Sequence, residues 1–560
     1  MNVLLIPNAI FVPSDMQKKF GAVTPALVPL GNLSMLENIV LKYKNYVDKV
    51  YVVCYEQVDD IKRLINIKGL DVNIIKLNEI KDLGYTIFTG LKEICAKNIN
   101  INKVYINFAD SLLIEDINEN ISDFAYVARV ENSALWTYFK SKNGVITDIV
   151  DKKLLKKFPN IAMQFEKIFV GVFGISNPQN FLLDLDYANS CMSNYNIDSF
   201  YNALKLYSKN NKLIFEECNT WYDVGHSESY FKAKSGVAAR SFNTINIDDK
   251  RGILIKSSNN KDKLIDEIKW YLKLPNKIQY LVPRIYDYSL KYDNPYVSME
   301  FYGYHTLHES YLYSDLPMIR WKEIFKKLLF IIEDMEAYKV VPGNDLINTS
   351  LKEMYITKTF ARLDTLKLDK EFVDLFSKNI LINNNKYESL DYYKEKISYL
   401  VNDIIIKKYG NSFNIIHGDL CFANILVEDS YNFMRLIDPR GSFGSFDIYG
   451  DSNYEMAKLL HSLEGKYDFI IEDLFDVSKN GNNINFVIFD KNTEIIKVFN
   501  EVFAEKLKNL LVIRLIEATL FLSMTPLHDD HKQRQYVMLA TGIILLDKVI
   551  KDYEGLKNEK

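Results

Sequence analysis

The residues best suited to chemistry lie in the segment HGDLCFANIL, where four residues separate Asp419 from Asn424. This spacing suits phosphoryl transfer to an alcohol, which needs a carboxylate at the acceptor hydroxyl and an oxygen ligand for magnesium. The strand-like segment MRLIDP then presents Asp438 as a second hard oxygen ligand. We therefore predict Asp419 as the catalytic base and Asn424 and Asp438 as Mg²⁺ ligands.

A second group of residues upstream suits the binding of ATP as phosphoryl donor. Lys256 ends the predicted strand GILIK, and Glu267 lies on the following predicted helix. A strand lysine paired with a helix glutamate is an arrangement that holds the α- and β-phosphates of ATP. Met299 and Phe301 fall where a hinge strand between two lobes would contact adenine through its backbone. The simpler alternative is that Lys256 and Glu267 are solvated surface charges.

The tripeptide His417-Gly418-Asp419, the segment LIDPRG and the segment GDSNYEMAKLLHS together resemble the aminoglycoside phosphotransferase and choline kinase family. The resemblance covers about residues 240–560 and is strongest over 415–460. It implies a bilobal protein-kinase-like fold, ATP, magnesium and a small hydroxyl acceptor, which is a sugar or an amino alcohol. The sequence departs from the pattern before Lys256, where no G-x-G-x-x-G occurs. ARSFNTIN would then cover the phosphates, with Ser241 and Asn243 as cofactor-binding residues.

The N-terminal part carries two further carboxylates with a recognisable context. Asp110 follows the predicted strand KVYINF, and Asp223 lies in TWYDVGHSESY. With the proline rhythm of TPALVPL, these segments resemble the nucleotidyltransferases that make nucleotide sugars and CDP-alcohols. The resemblance implies that Asp110 and Asp223 hold magnesium while a phosphate attacks the α-phosphorus of CTP or UTP and pyrophosphate leaves. A strand-end turn residue is the alternative interpretation of Asp110.

Other parts of this resemblance are weaker. The segment LGYTIFTGL resembles the base-recognition turn and helix, which implies cofactor contacts from Gly84 and Thr86. The family's glycine-rich loop is absent from PNAIFVPSDM, and its lysine is Ala26 here. Lys18 or Lys19 can supply the missing charge, and Lys152 or Lys153 can match the lysine after the central hairpin. Both lysine pairs can equally be ordinary solvated charges.

The elements that must position these residues fall into two patterns. Apolar runs at 3–6, 49–54, 72–77 and 103–108 alternate with helical spacing at 34–46, 56–65 and 86–97, which predicts a parallel sheet. An Asn143-Gly144 turn and the run 169–175 predict an antiparallel addition. The sequence therefore predicts two domains: an α/β, Rossmann-like and GT-A-like mixed sheet over 1–236, and an α+β kinase-like domain over 237–560. The second has a small lobe to about 305 and a mostly helical lobe that is interrupted at 415–441.

Composition restricts the possible partners. The 560 residues are 48% hydrophobic and 25% charged, with a net charge of −4, which gives no support for a nucleic-acid partner. Five scattered cysteines without a CxxC pair suit a reducing compartment. Because no uncharged apolar run of about 18 residues occurs, we expect a cytoplasmic protein without membrane insertion. An oligomer is compatible with the sequence.

A kinase and a nucleotidyltransferase on one chain suggest consecutive steps. The first would phosphorylate the acceptor, and the second would activate that phosphate as a precursor of a surface polysaccharide. Three alternatives remain open: a kinase with an inactive nucleotide- or substrate-binding N-terminal module, a nucleotidyltransferase with a kinase-like scaffold, and a nucleotide-sensing protein without catalysis.

Overall fold

The computed structural model describes residues 1–31, 33–97, 100–130, 136–152, 166–190, 198–227, 229–230, 232–234, 245–248, 251–428, 431–490 and 493–558. The chain divides into two compact units, Met1–Ser241 and Phe242–Lys560, which we call unit 1 and unit 2.

Unit 1 is built around a nine-stranded mixed sheet. Its parallel part places Asn2–Asn8 between Lys49–Cys54 and Lys103–Asn107, with Val72–Lys76 outside Lys49–Cys54. Glu166–Ile175 then pairs antiparallel with Lys103–Asn107. The remaining strands are Phe124–Val130, Thr137–Lys142, Val145–Asp151 and Ile214–Glu217. The predicted parallel sheet with an antiparallel addition is confirmed.

The side chains of the central strand alternate between two apolar cores. Leu4 and Ile6 belong to one core, whereas Val3 and Leu5 belong to the other, because successive strand residues point to opposite faces. Helices cover the two faces: Ser14–Phe20, Met35–Tyr43, Val58–Ile67, Leu83–Lys97, Pro178–Ser190 and Ser199–Asn210, with the 3₁₀ helix Pro25–Leu27.

Local signals in unit 1 act as the sequence predicts. Ser34 caps the helix Met35–Tyr43 through a capping box with Glu37. Asn143 and Gly144 have φ angles of 52° and 79° in the two-residue turn of the hairpin, as a type I′ turn requires. Two short strand pairs complete the unit, Pro29–Leu30 with Leu33–Ser34 and Ser111–Leu113 with Trp221–Asp223.

Unit 2 begins with a four-stranded antiparallel sheet and one helix. The strands Ile245–Asp248, Ile253–Ser257, Tyr296–Glu300 and Ile285–Ser289 lie in that spatial order. The helix Lys261–Lys273 packs its Leu264, Ile268 and Trp270 into the unit's core. A 3₁₀ helix, Asn276–Leu281, leads to the third strand in sequence.

The rest of unit 2 is mainly helical. Its helices are Leu307–Tyr313, Met318–Glu336, Asn344–Lys352, Lys358–Leu366, Val373–Ser377, Leu390–Leu400, Ser452–Leu463, Tyr467–Ile471, Ile495–Val502, Leu510–Met524 and Lys532–Asn558. The π-helical turns are Glu353–Thr357 and Val401–Ile405, and the 3₁₀ turns are Ile406–Lys408, Phe422–Asn424, Lys506–Asn509 and Thr525–His528. The stretch Lys506–His528 is long and apolar enough to cross a membrane, and 61% of it is buried inside the protein, as in a core helix.

Three small sheets interrupt these helices. Two of them frame the segment 413–450: His305–Thr306 with Ile425–Val427 and Met434–Leu436, and Lys339–Val340 with Phe413–Ile415 and Tyr449–Gly450. The third contains Asn385–Tyr387, Ile380–Ile382, Asn483–Ile488 and Phe475–Asn480. The sequence predicted the interruption at 415–441 but not this third sheet, in which alternating side chains around Gly481 form a hairpin.

Candidate active sites

Unit 1 brings Asp110 and Asp223 together through its short strand pair. Asp223 lies opposite Ser111 in the antiparallel register, and the Val224 N–H donates to the Asp110 carbonyl at 2.8 Å. The pairing aligns the end of one strand with the start of the other. Two carboxylates that are distant in sequence therefore lie next to each other at the edge of the sheet.

Gly225 keeps the space between the two carboxylates open. A Cβ atom at this position would lie 2.9 Å from Asp110 Oδ2 and 3.1 Å from Asp223 Oδ1. The Gly225 N–H donates to Asp223 Oδ1 at 3.1 Å, which orients that carboxylate. Any other residue at 225 would force one carboxylate away.

The two carboxylates oppose each other electrostatically. Burial and the neighbouring Asp223 raise the pKa of Asp110 to about 7, and burial raises the pKa of Asp223 to about 6. Asp223 Oδ2 is buried and has no hydrogen-bond partner among the described residues. Paired hard oxygens that are costly to ionise together fit a divalent cation such as Mg²⁺. Across the described ranges, no group of three or more His, Cys, Asp or Glu side chains forms a larger cluster.

A cavity of about 510 Å³ opens around this pair. Its walls include the segment after the first strand, the predicted base-recognition helix and the end of the central hairpin. Residues on these walls are Ala9, Ile10, Pro25, Leu83, Thr86, Trp136, Lys152, Trp221 and His226. This volume is in the range of small-molecule sites.

The predicted nucleotide-contact helix, Leu83–Lys97, begins next to the start of the helix Ser199–Asn210. The N–H groups of Leu83 and Gly84 donate to the Asp198 carboxylate at 3.0 and 3.1 Å, while Asp82 accepts from the Ser199 N–H at 2.9 Å. A Cβ on Gly84 would lie 2.0 Å from Ser199 Oγ. Gly84 is therefore explained by helix packing, whereas Thr86 lines the cavity.

The candidate lysines of unit 1 have different surroundings. Lys152 lines the cavity and lowers the pKa of Asp110, against the raising effect of burial. Lys19 is buried with its Nζ 5.5 Å from the Tyr230 ring centroid and is not among the residues that line the cavity. Lys153 lies outside the described residues. Of the candidate lysines described in unit 1, Lys152 is therefore the one that lines the cavity around the carboxylate pair.

In unit 2, Lys256 joins two distant carboxylates. Its Nζ lies 2.8 Å from Glu267 Oε2 and 2.7 Å from Asp438 Oδ1. Burial alone would lower the pKa of Lys256, but Asp438 and Glu267 raise it. Burial raises the pKa of Glu267 to about 7, although Lys256 opposes this. The helix Lys261–Lys273 thus fixes the cation in front of Asp438.

Asp438 has an unusual backbone. Its φ of 56° places it in the left-handed region, where non-glycine residues are uncommon and often functional. Its N–H donates to the Tyr271 hydroxyl at 3.1 Å, and its side chain is 54% exposed. The strain turns the carboxylate out of the strand end and toward Lys256.

Asp419 lies in the segment between the strands Phe413–Ile415 and Ile425–Val427. Its carboxylate pairs with Lys458 Nζ at 2.8 Å. Burial would raise the pKa of Asp419, but Lys458, His417 and Arg440 hold it well below its usual range. The Asn424 amide nitrogen donates to the Asp419 carbonyl at 2.9 Å, so the amide oxygen is the Asn424 atom that could ligate a cation.

Buried polar contacts hold this segment in place. The N–H groups of His417 and Gly418 donate to Glu455 at 3.0 and 2.8 Å. The His417 Nε2 donates to the Ile437 carbonyl at 2.9 Å, and burial lowers the pKa of His417 to about 4. His417 is therefore a neutral tether between the Asp419 segment and the strand before Asp438.

The remaining predicted residues of unit 2 have no described contact with Lys256, Asp419 or Asp438. Met299 is buried in the strand Tyr296–Glu300, and the Phe301 N–H donates to the Gly252 carbonyl at 2.8 Å. That N–H is thus engaged within the sheet. Ser241 and Asn243 lie outside the described residues.

Sequence reasoning missed Glu455 and Lys458. Both lie on the helix Ser452–Leu463, three residues apart and therefore on one face. Both are buried. The segment GDSNYEMAKLLHS shows an acid and a base that would share one helix face. Only the fold shows that both are buried and that they meet the segment from His417 to Asp419.

The sequence matches no protein family model and no curated protein. Solved structures match 41–43% of this chain, in its N-terminal part. A protein named as a glucose-1-phosphate thymidylyltransferase from Bacillus anthracis has 15% identity and a TM-score of 0.34, with 43% of this chain and 97% of its own covered. CTP:phosphocholine cytidylyltransferase from Streptococcus pneumoniae has 14% identity and a TM-score of 0.34, with 42% and 99% covered. A nucleoside-diphosphate-sugar pyrophosphorylase from Vibrio cholerae has 11% identity and a TM-score of 0.31, with 41% and 99% covered. At these values, the chemistry of this chain has to be inferred from its own residues.

Proposed function

We propose that unit 2 is an ATP-dependent small-molecule kinase. The observation that carries this proposal is the position of Lys256 between Glu267 and Asp438, at 2.8 and 2.7 Å. A cation held this way on a strand suits the α- and β-phosphates of ATP. Asn424 and Asp438 are the ligands for Mg²⁺, which would supply positive charge to the phosphates during transfer.

Asp419 orients the acceptor hydroxyl in this proposal. Because Lys458 keeps the carboxylate ionised, it can accept a hydrogen bond from the hydroxyl throughout the reaction. The hydroxyl oxygen attacks the γ-phosphorus, the bond to the ADP oxygen breaks, and the hydroxyl proton leaves through Asp419. Glu455 and His417 hold the Asp419 segment still, which supports in-line attack.

We propose nucleotidyl transfer as the activity of unit 1. The carboxylate pair Asp110 and Asp223, with Gly225 between them, supports this second activity. A divalent cation held there would stabilise negative charge at the α-phosphate of CTP or UTP. Lys152 is placed to contact a phosphate in the same cavity. The absence of a glycine-rich loop in PNAIFVPSDM leaves the kinase-only alternative open.

The two activities form a sequence in which unit 2 phosphorylates the acceptor and unit 1 joins that phosphate to a nucleoside monophosphate. The product would be a nucleotide-linked precursor of a bacterial surface polysaccharide, such as a capsule. This order rests on the presence of both sites on one chain.

The test is mass spectrometry of the full chain with Mg²⁺, ATP, CTP, UTP and pooled sugars, polyols, sugar acids, sugar phosphates and amino alcohols. We expect a phosphorylated acceptor and its nucleotide-linked form. When sugar phosphates are left out of the pool, Asp419→Asn should abolish both products, whereas Asp110→Asn should abolish only the second. A phosphorylated acceptor without the linked form in the wild type supports the kinase-only alternative. Nucleotidyl transfer to added phosphorylated acceptors, without any ATP-dependent step, would refute the kinase.

A further inference from the structure

The helix Lys358–Leu366 carries two cations, and the turn before it is tied to the Asp419 region because Tyr355 stacks on Tyr454, which accepts a hydrogen bond from Arg440. A π-helical turn, Glu353–Thr357, immediately precedes Lys358, and such turns often occur at functional sites. Lys358 and Arg362 are four residues apart, so they share one face of the helix. The helix packs on Leu510–Met524, and Arg362 donates to the Ser523 carbonyl at 3.3 Å.

Arg440 is the third cation next to Asp419. A Cβ on Gly418, the residue before Asp419, would lie 2.8 Å from Arg440 Cβ. The guanidinium donates to the Ser442 carbonyl at 2.9 Å and to the Tyr454 hydroxyl at 3.0 Å. Arg440 thus packs directly on the Asp419 segment without using a carboxylate partner among the described residues. We call Lys358, Arg362 and Arg440 the cation cluster.

The charges around Asp419 do not balance. Lys458 already neutralises Asp419 at 2.8 Å. Within the part of the chain that the structure describes, the cation cluster has no carboxylate in ion-pair contact, and Lys358 Nζ has no hydrogen-bond partner. The guanidinium groups of Arg362 and Arg440 therefore remain in excess at a partly buried site, and Lys358 adds a third positive charge when it is protonated.

The titration behaviour of the cluster agrees with this geometry. Burial, followed by the charges of Arg440, Arg362 and Lys458, lowers the pKa of Lys358 to about 6, although Asp419 opposes the shift. Burial and Arg440 also lower the pKa of Arg362. Unpaired cations in low-polarity surroundings are destabilising. A bound anion would relieve this, whereas the ammonium group of an amino alcohol would add to it.

The cluster lies on the helical side of Asp419, whereas Lys256, which we assign to ATP, lies on the sheet. Because Asp419 contacts the acceptor hydroxyl in the proposed reaction, an anion held beside Asp419 by the cluster belongs to the acceptor. Guanidinium groups suit this task because their planar donors match phosphate and carboxylate oxygens.

We propose that the acceptor phosphorylated at Asp419 is itself an anion, a hydroxyl compound that already carries a phosphate or carboxylate group, held by Lys358, Arg362 and Arg440. The identity of the acceptor rests on the proposed kinase activity, but the anion site does not. The proposal excludes amino alcohols and uncharged sugars as the preferred acceptors.

The kinetic test compares acceptors that share one skeleton: glucose, glucosamine, glucuronate and glucose 6-phosphate, each with Mg²⁺ and ATP. We expect kcat/KM to be at least about 100-fold higher for one of the two anions, and the better one identifies phosphate or carboxylate. Lys358→Met/Arg362→Met should remove this preference and leave the KM for ATP within about twofold. Lys352→Met is the matched control, because Lys352 is an exposed lysine at the end of the preceding helix, Asn344–Lys352. An equal kcat/KM for glucosamine, or a raised KM for ATP, overturns the proposal.

The binding test works without turnover. Calorimetric titration of the full chain with inorganic phosphate in EDTA should show a site that Lys358→Met/Arg362→Met weakens at least about tenfold. Arg362→Lys retains the charge and should retain most of the affinity, which separates charge from folding. If no acceptor is phosphorylated but this site is present, the kinase proposal fails and the anion site stands. Identical titrations of the wild type and the double variant overturn the anion site.

Discussion

The carboxylate pair of unit 1 should make the protein less stable in the absence of a divalent cation, and Asp110→Asn should relieve that strain. Burial and Asp223 raise the pKa of Asp110 from 3.8 to about 7. Each pKa unit corresponds to about 1.4 kcal/mol, so the shift sets a ceiling of about 4 kcal/mol on the cost of ionising Asp110. Part of this cost belongs to the coupled carboxyl group of Asp223, and the new amide is itself a buried polar group. We therefore expect Asp110→Asn to raise the free energy of unfolding by about 1–3 kcal/mol at pH 8.

The pH dependence has a defined sign. The folded state holds protons on Asp110 and Asp223 at pH values where the unfolded chain has lost them. The stability of wild-type unit 1 should therefore fall as the pH rises from about 4 to about 7. In Asp110→Asn this dependence should be weaker, because only Asp223 remains to titrate.

The assay is calorimetric unfolding in EDTA at pH 5 and pH 8, with amide hydrogen exchange to assign the effect to the segments around Asp110 and Asp223. A gain of this size raises the transition of a unit this long by about 3–8 °C. Mg²⁺ should stabilise the wild type, by about 1.4 kcal/mol at ten times its dissociation constant, and not Asp110→Asn. Asp71→Asn, at an exposed carboxylate of the same unit, is the control. Reduced stability of Asp110→Asn at pH 8 in EDTA, or an equal response of both proteins to Mg²⁺, would refute the carboxylate-pair reasoning.

Three further predictions follow from single contacts. Gly225→Ala should lower the rate of pyrophosphate release at least about 100-fold, because its Cβ would press on both carboxylates. Its circular dichroism spectrum should be unchanged. Gly343→Ala is the control, because nothing lies within 4 Å of a Cβ at that position. Lys256→Met should raise the KM for ATP at least about tenfold in steady-state kinetics by removing the phosphate-binding cation, and an unchanged KM would contradict its role. Glu455→Ala should destabilise unit 2 by about 2–4 kcal/mol in denaturant unfolding, since two buried N–H groups lose their acceptor; a loss below about 0.5 kcal/mol would show that water replaces it.

Local patterns in the sequence were enough for much of the secondary structure. The apolar runs of unit 1 form strands where predicted, and Ser34 and Asn143-Gly144 act as the cap and the turn that their chemistry favours. These features depend on neighbours a few residues apart, so side-chain period and backbone preference decide them. The hairpin around Gly481 carried the same kind of signal, a Gly-Asn turn at 481–482 between alternating strands, and could have been predicted.

The composition of the candidate sites needed the tertiary structure. The spacing of Asp419 and Asn424 is local and visible in the sequence, but the salt bridge from Lys256 to Asp438 spans 182 residues. Glu455 and Lys458 lie in GDSNYEMAKLLHS and Arg440 lies in LIDPRG, but no spacing in the sequence shows that they, Lys358 and Arg362 meet Asp419. Helix packing brings them to it, because each helix must bury its apolar face and so directs its polar residues to one place.

The sequence and the fold give different information about the acceptor. By itself, the sequence predicted the chemistry of Asp419 and Asp438, because that prediction needs only residues that are close along the chain. It left a sugar and an amino alcohol equally open as the acceptor. Only the fold decided that Lys358, Arg362 and Arg440 meet beside Asp419 with no carboxylate to balance them in the described chain. Charge balance is a property of residues that are close in space, and no linear pattern records it.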